Sequence, residues 1–183
     1  MLLVPNCTWP GSECDILCVA HNLKIVEVEI KISRSDLKAD HDKEKWWHKV
    51  VVGYENADTK YGTYRKPVYS TTLKPWPSRV WKHYYCMPAD IWSPDLLDVL
   101  PSPASGVLLM HVGGAHGNTV RLQCVRRCTA NKDAHVLKDK QVIDIARLAN
   151  LRMWEAKAKA EDAQRSYITV YKQLRELENS NEK

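Results

Sequence analysis

Long apolar runs are missing from this chain of 183 residues. No stretch approaches the ~18 consecutive apolar residues of a membrane-spanning helix, so no membrane partner is expected. The opening residues, Met1 to Cys7, hold no Lys or Arg and meet Pro5 and Asn6 before an apolar segment develops, which is not the pattern of a secretory signal peptide. A soluble, cytoplasmic protein is the expectation. The zinc-knuckle spacing C-x₂-C is missing as well, since Cys14 and Cys18, like Cys124 and Cys128, are four apart. With Cys7 and Cys86 these cysteines read as thiols of a reducing compartment that pack as small apolar side chains, rather than as disulfides or zinc ligands. Neither sign of charge dominates: 27 Lys and Arg against 22 Asp and Glu leave +5, which suits a polyanionic partner without demanding one. A chain of this length makes one domain with room for an extension, and buries a core without cross-links.

Residues Cys14 to Ala20 read as a short strand, His21-Asn22 as a turn and Leu23 to Ser33 as a longer strand, together a β-hairpin. In the second strand Val26, Val28, Ile30 and Ile32 alternate with Glu27, Glu29, Lys31 and Ser33, so one face is apolar and the other charged. Ser33 or Ser35 caps a following helix with Asp36 in its first turn, extending to Lys49 as a surface helix anchored by Leu37, Trp46 and Trp47. Residues 50–80 are punctuated by Gly53, Gly62, Pro67, Pro75 and Pro77, and mix tyrosines with Lys60, Arg65 and Lys66. They read as a long basic and aromatic loop or insertion. Strands are expected again at Val80–Met87, Gly106–Val112 and Thr119–Arg126, with a helical turn around Pro94–Leu100 and a tight turn at Gly113–Asn118. The expectation is therefore an α/β core over 1–138, a mixed sheet of about five strands flanked by helices.

From Asp139 the chain carries no Gly or Pro. Val142, Ala146, Ala149, Met153, Ala156, Ala160, Ala163, Tyr167, Val170, Leu174 and Leu177 follow one another in alternating steps of four and three, the repeat of a coiled coil. A helix from 139 to 178 would be roughly 60 Å long, more than a small core can cover. Residues 139–183 are thus expected to form a long helix that pairs two copies into a homodimer.

The chemistry is concentrated in the first hairpin. Glu29 and Lys31 flank Ile30 on the charged face, and Asp15 begins the adjacent strand, so the three can converge at one end of the hairpin. Two carboxylates with a lysine beside them suit Mg²⁺ or Mn²⁺ acting on a phosphodiester, with Lys31 orienting water or neutralising charge. The plainer account is a strand whose charged side simply meets water. Glu13-Cys14-Asp15, Val28-Glu29-Ile30-Lys31 and Ser33-Arg34-Ser35-Asp36 resemble the PD-(D/E)XK nuclease superfamily, and are most similar to MmcB-like DNA-repair proteins and related phage proteins. That resemblance covers about residues 13–126, with Tyr84 to Pro88 and Gly106 to Leu109 as its later strands.

The resemblance implies a restriction-endonuclease-like fold and a metal-dependent deoxyribonuclease of DNA repair or phage nucleic-acid processing. Asp15, Glu29 and Lys31 would be catalytic, Asp15 and Glu29 would hold the metal, and Glu27 or Glu13 is a further candidate ligand. Glu27 reads equally as a solvated strand residue. Arg34, Lys38 and Lys43 on the expected helix, and Lys60, Arg65 and Lys66 on the expected loop, are candidate DNA contacts; His111 and His116 read as ordinary surface histidines. Cys14 stands in place of the motif's Pro. Family members usually carry a helix before the Asp strand, and only fourteen residues precede Asp15 here. This leaves a second expectation, a nuclease-fold protein without catalysis that works as a dimeric binding or inhibitory module.

Overall fold

The structure, a computed structural model, describes residues 1–113 and 119–181, with side chains as far as residue 175. It divides into two compact units, Met1–Lys138 and Asp139–Lys183. The first is a mixed α/β unit with eight strands: β1 Leu2–Cys7, β2 Cys14–Val19, β3 Ile25–Ile30, β4 Trp47–Thr59, β5 Gly62–Leu73, β6 Val80–Pro88, β7 Gly106–Gly113 and β8 Thr119–Arg126. Six form one sheet in the order β1-β2-β3-β6-β7-β8, while among the described residues β4 and β5 pair with each other alone. Within the sheet β3, β6 and β7 run parallel, and the outer pairings are antiparallel.

The strands β3, β6, β7 and β8 lie where the sequence places them, β7 as an apolar run. The turn at 114–118 and His116 lie outside the described residues. Three expectations change. β1 is an additional edge strand paired to β2. The helix after β3 is short, α1 Arg34–Ala39, capped by the Ser33 side chain, which accepts from the Asp36 N–H at 3.1 Å. Beyond it come two single 3₁₀ turns, Asp40–Asp42 and Glu44–Trp46, instead of a helix reaching Lys49. The expected loop at 50–80 is largely the β4–β5 ribbon, whose two strands hold 13 and 12 residues. Pairing supplies what punctuation by Gly and Pro hides. Both strands of a two-stranded ribbon are edges, and an edge tolerates Pro67.

The core lies on one face of the sheet. Tyr85 and Met87 of β6 and Val107 and Leu109 of β7 pack with Leu37, Trp46, Leu96 and Leu100 from the crossovers. Of the cysteines, Cys7, Cys14 and Cys18 are buried, whereas Cys124 is exposed on β8. The second unit is the helix α2, Asp139–Asn181, 43 residues long. Pairs such as Lys140–Asp144 and Lys157–Glu161 lie one turn apart along it. Met153, Tyr167, Val170 and Leu174 of its apolar seam are exposed, and the Leu177 side chain lies outside the described residues. No described helix is long and apolar enough to cross a membrane.

Candidate functional site

The alternation of β3 defines two faces, and the charged one is turned inward. Glu27, Glu29 and Lys31 are 0%, 2% and 2% exposed, whereas Ile30 and Ile32 on the other side are 41% and 77% exposed. A strand whose charged side simply meets water would show the reverse, so that account fails for these residues, including the solvated reading of Glu27. The inward direction is enforced by neighbours. On β6, Glu27 stands beside His83 and Glu29 beside Tyr85, and the segment after α1 folds over them.

That segment brings the partners. Asp40, at the start of the first 3₁₀ turn, is fully buried. One of its oxygens, Oδ1, accepts from Lys31 Nζ at 2.7 Å and lies 2.7 Å from Lys43 Nζ. The other, Oδ2, accepts from the Tyr85 hydroxyl at 2.6 Å and from Trp46 Nε1 at 3.0 Å. Lys45 donates to Glu29 Oε1 at 2.6 Å and to Glu27 Oε1 at 3.0 Å. Lys31 and Lys43 approach Glu29 Oε2 at 3.5 and 3.6 Å. Three carboxylates and three ammonium groups are thus interleaved, the arrangement that makes buried charge tolerable.

Asp40, Glu27, Lys43, Lys45 and His83 titrate as burial set against their partners dictates. Burial pushes the Asp40 carboxyl up, but the charge of Lys45 and hydrogen bonds from Lys31, Lys43 and Tyr85 outweigh it and hold the group well below its ordinary range. At Glu27 burial wins over Lys45 and raises the pKa to about 7. Burial lowers Lys43 and Lys45, yet the surrounding carboxylates reverse this and raise both. His83, buried beside Lys45, is driven well below its usual value and stays neutral, with Nδ1 3.0 Å from the Ser105 hydroxyl. Two buried atoms of this cluster, Glu27 Oε2 and His83 Nε2, have no hydrogen-bond partner among the described residues.

The cluster opens on one side into a cleft of about 600 Å³, whose lining includes Glu13, Asp15, Glu29, Lys43, Lys45 and Lys74. Asp15 and Glu29 therefore share a cleft, as expected from the hairpin. Asp15 Oδ2 accepts from the Ile30 N–H at 2.6 Å, which ties the carboxylate to β3. Glu13 also lines the cleft, whereas Glu27 and Lys31 are buried and are not among its lining residues. Among the described residues no group of three or more His, Cys, Asp or Glu side chains is placed to hold a metal. Four carboxylates line the cleft, Glu13, Asp15, Glu29 and Glu44, and of these Asp15 and Glu29 are the pair that the hairpin sets side by side as hard oxygen donors.

The candidate DNA contacts separate. Lys43 belongs to the cleft and not to a helix. Arg34 uses Nε to donate to the Ile91 carbonyl at 2.8 Å, and Lys38 is exposed on α1. Lys60 lies in the turn of the β4–β5 ribbon, and Arg65 and Lys66 on β5. Asp40, Lys45, Trp46, His83 and Tyr85 are functional candidates that sequence reasoning passed over. The first three sit in irregular turns, and the last two look like ordinary strand residues until β3 and β6 are paired. No family model matches the chain, and no curated protein matches it. Among solved structures the chain is similar to a protein of unknown function from Silicibacter pomeroyi, with 14% identity and a TM-score of 0.46 over 89% of this chain and 81% of that one.

Proposed function

We propose that the cleft is the active site of a PD-(D/E)XK-type deoxyribonuclease that hydrolyses phosphodiester bonds with Mg²⁺ or Mn²⁺, in DNA repair or phage nucleic-acid processing. The observation that carries the reading is that Asp15 and the buried Glu29 line one cleft, with the buried Lys31 ammonium 3.5 Å from Glu29 Oε2. Burying charge costs several kcal/mol per ion before pairing, and sites of chemistry are where such costs recur.

Two carboxylates fit Mg²⁺, which takes one or two from the protein and completes its shell with water and phosphate. When bound, the ion polarises a phosphoryl oxygen and acidifies an attacking water. Asp15 and Glu29 would hold it. Lys45 fixes the orientation of Glu29 through its 2.6 Å hydrogen bond. Asp40 does the same for Lys31, whose ammonium is held ready to orient water or to neutralise charge growing on the phosphate. At the rim, Lys43 and Lys74 attract the phosphate backbone.

The test is cleavage of labelled DNA with added Mn²⁺, alongside calorimetric metal titration. Glu29→Gln and Lys31→Met are expected to abolish cleavage, and a chelator to silence the wild type; full activity in either variant refutes the assignment. A second reading draws on the charge balance of the cluster. Three lysines already neutralise Glu27, Glu29 and Asp40, which suits a nuclease-fold binding or inhibitory module without catalysis, acting as a dimer. A wild-type protein that binds neither ion and cuts nothing would establish that reading.

A further inference from the structure

Within the first unit, the β4–β5 ribbon is a long feature that the cleft chemistry does not use. Nearly every residue of both strands is exposed; only Trp47, Gly53, Ala57 and Pro67 are partly covered. A lone two-stranded ribbon is marginally stable in water, so one exposed on both faces gains from a partner. Its strands extend about 40 Å at ~3.3 Å per residue, close to the ~34 Å turn of B-form DNA. The ribbon begins and ends at the cleft. Lys45 lies two residues before its first strand and Lys74 directly follows its second, the two ends being joined by the hydrogen bond from Lys74 N–H to the Trp46 carbonyl at 2.7 Å.

The chemistry of the ribbon is that of a polyanion contact. Its acids are locally satisfied: Glu55 pairs with Lys66 at 3.6 Å, and Asp58 accepts from the Thr63 hydroxyl at 2.6 Å. Lys60 and Arg65, by contrast, lie over the rings of Tyr61 and Tyr54 at 4.9 and 5.1 Å. Cations resting on aromatic rings keep donors for phosphate oxygens. Register places Arg65, Asn56, Tyr54 and Thr63 on one face, and Tyr64, Lys66 and Ser70 on the other.

We infer that the β4–β5 ribbon is a groove-binding arm that seats duplex DNA across the cleft, with Lys60, Arg65 and Lys66 on its phosphates. The inference rests on the nuclease reading of the cleft and names its substrate class. Duplex is favoured over single strand because a protruding ribbon enters a groove, whereas single-strand binders form one. The ~12 Å major groove of B-DNA admits a two-stranded ribbon; the narrow major groove of duplex RNA does not. Pairing of two such ribbons in a dimer would bring basic tips together, which like charges oppose.

The experiment is fluorescence anisotropy in EDTA, using a labelled DNA duplex, its single strand and an RNA duplex of the same sequence. Wild type is expected to prefer the DNA duplex. Lys60→Ala/Arg65→Ala/Lys66→Ala should weaken that binding at least about tenfold and lower the salt slope by roughly 2–3, near one per lost phosphate contact. Since all three side chains are exposed, the melting curve should not move. Replacing residues 50–70 by a short turn should abolish the duplex preference. Unchanged duplex affinity in both variants overturns the inference, as does tighter binding of single strand, or a ribbon deletion that halves the mass in solution while leaving DNA affinity intact. Because binding is read without metal, a protein that never cleaves but binds duplex through the ribbon refutes only the nuclease reading. One that cleaves equally well without the ribbon refutes only the arm.

Discussion

Asp40→Ala is the most informative single perturbation of the cluster. The carboxylate is fully buried and receives four groups: Lys31 and Lys43 at 2.7 Å, Tyr85 at 2.6 Å and Trp46 at 3.0 Å. Its loss leaves Lys31, 2% exposed, with Glu29 Oε2 at 3.5 Å as its nearest remaining carboxylate. Removing one partner of a buried ion pair costs about 3–5 kcal/mol. The stranded Tyr85 and Trp46 donors add to this, but not additively, because Lys43 can swing to solvent and water can enter. A loss of about 4 kcal/mol is expected, or roughly 8–16 °C in Tm for a chain of this size. Urea denaturation followed by circular dichroism measures it directly. Asp40→Ala/Lys31→Met, which removes both charges, should recover part of the loss, since the penalty comes from an unpaired ammonium. A single variant within 1 kcal/mol of wild type, or a double variant no better than the single, would refute the description of Asp40 as the centre of the network.

The network also sets a pH dependence with two opposite signs. The Asp40 pKa is depressed on folding, so its contribution is present above the unfolded value of 3.8 and fades as pH falls below it; Asp40→Asn should flatten the acid limb of a stability profile. Glu27 is raised from 4.5 to about 7, so its contribution declines as pH rises across that window, and Glu27→Gln should remove that decline. Gly106→Ala should destabilise by about 1–3 kcal/mol through overpacking, because a Cβ there would sit 2.3 Å from the Tyr84 ring and 2.8 Å from the Cys128 backbone nitrogen; thermal melting checks it. For α2, full-length protein is expected to be a dimer by light scattering, and truncation after Ala163 to weaken it by removing the exposed Tyr167, Val170 and Leu174. A full-length chain that is already monomeric at micromolar concentration excludes that pairing.

By itself the sequence determines what is periodic. The alternation through β3, the apolar run of β7, the alternating residues of β8 and the unbroken helical pattern after Asp139 are local signals, and each element lies where its pattern places it. The juxtaposition of Asp15 and Glu29 was equally legible, because a hairpin sets its own register. Tertiary structure decided the rest. An edge strand such as β1 needs no alternation, and the β4–β5 ribbon is exposed on both faces, so no burial pattern marks it. Asp40 and Lys45 sit on single 3₁₀ turns that have no period at all. Above all, alternation divides β3 into two faces without saying which is covered. That choice came from β6, which sets His83 and Tyr85 beside Glu27 and Glu29, and from the turns after α1, which bring Asp40, Lys43 and Lys45 to neutralise them. Without those counter-charges the inward face of β3 could not exclude water, and the apolar face would have been the buried one.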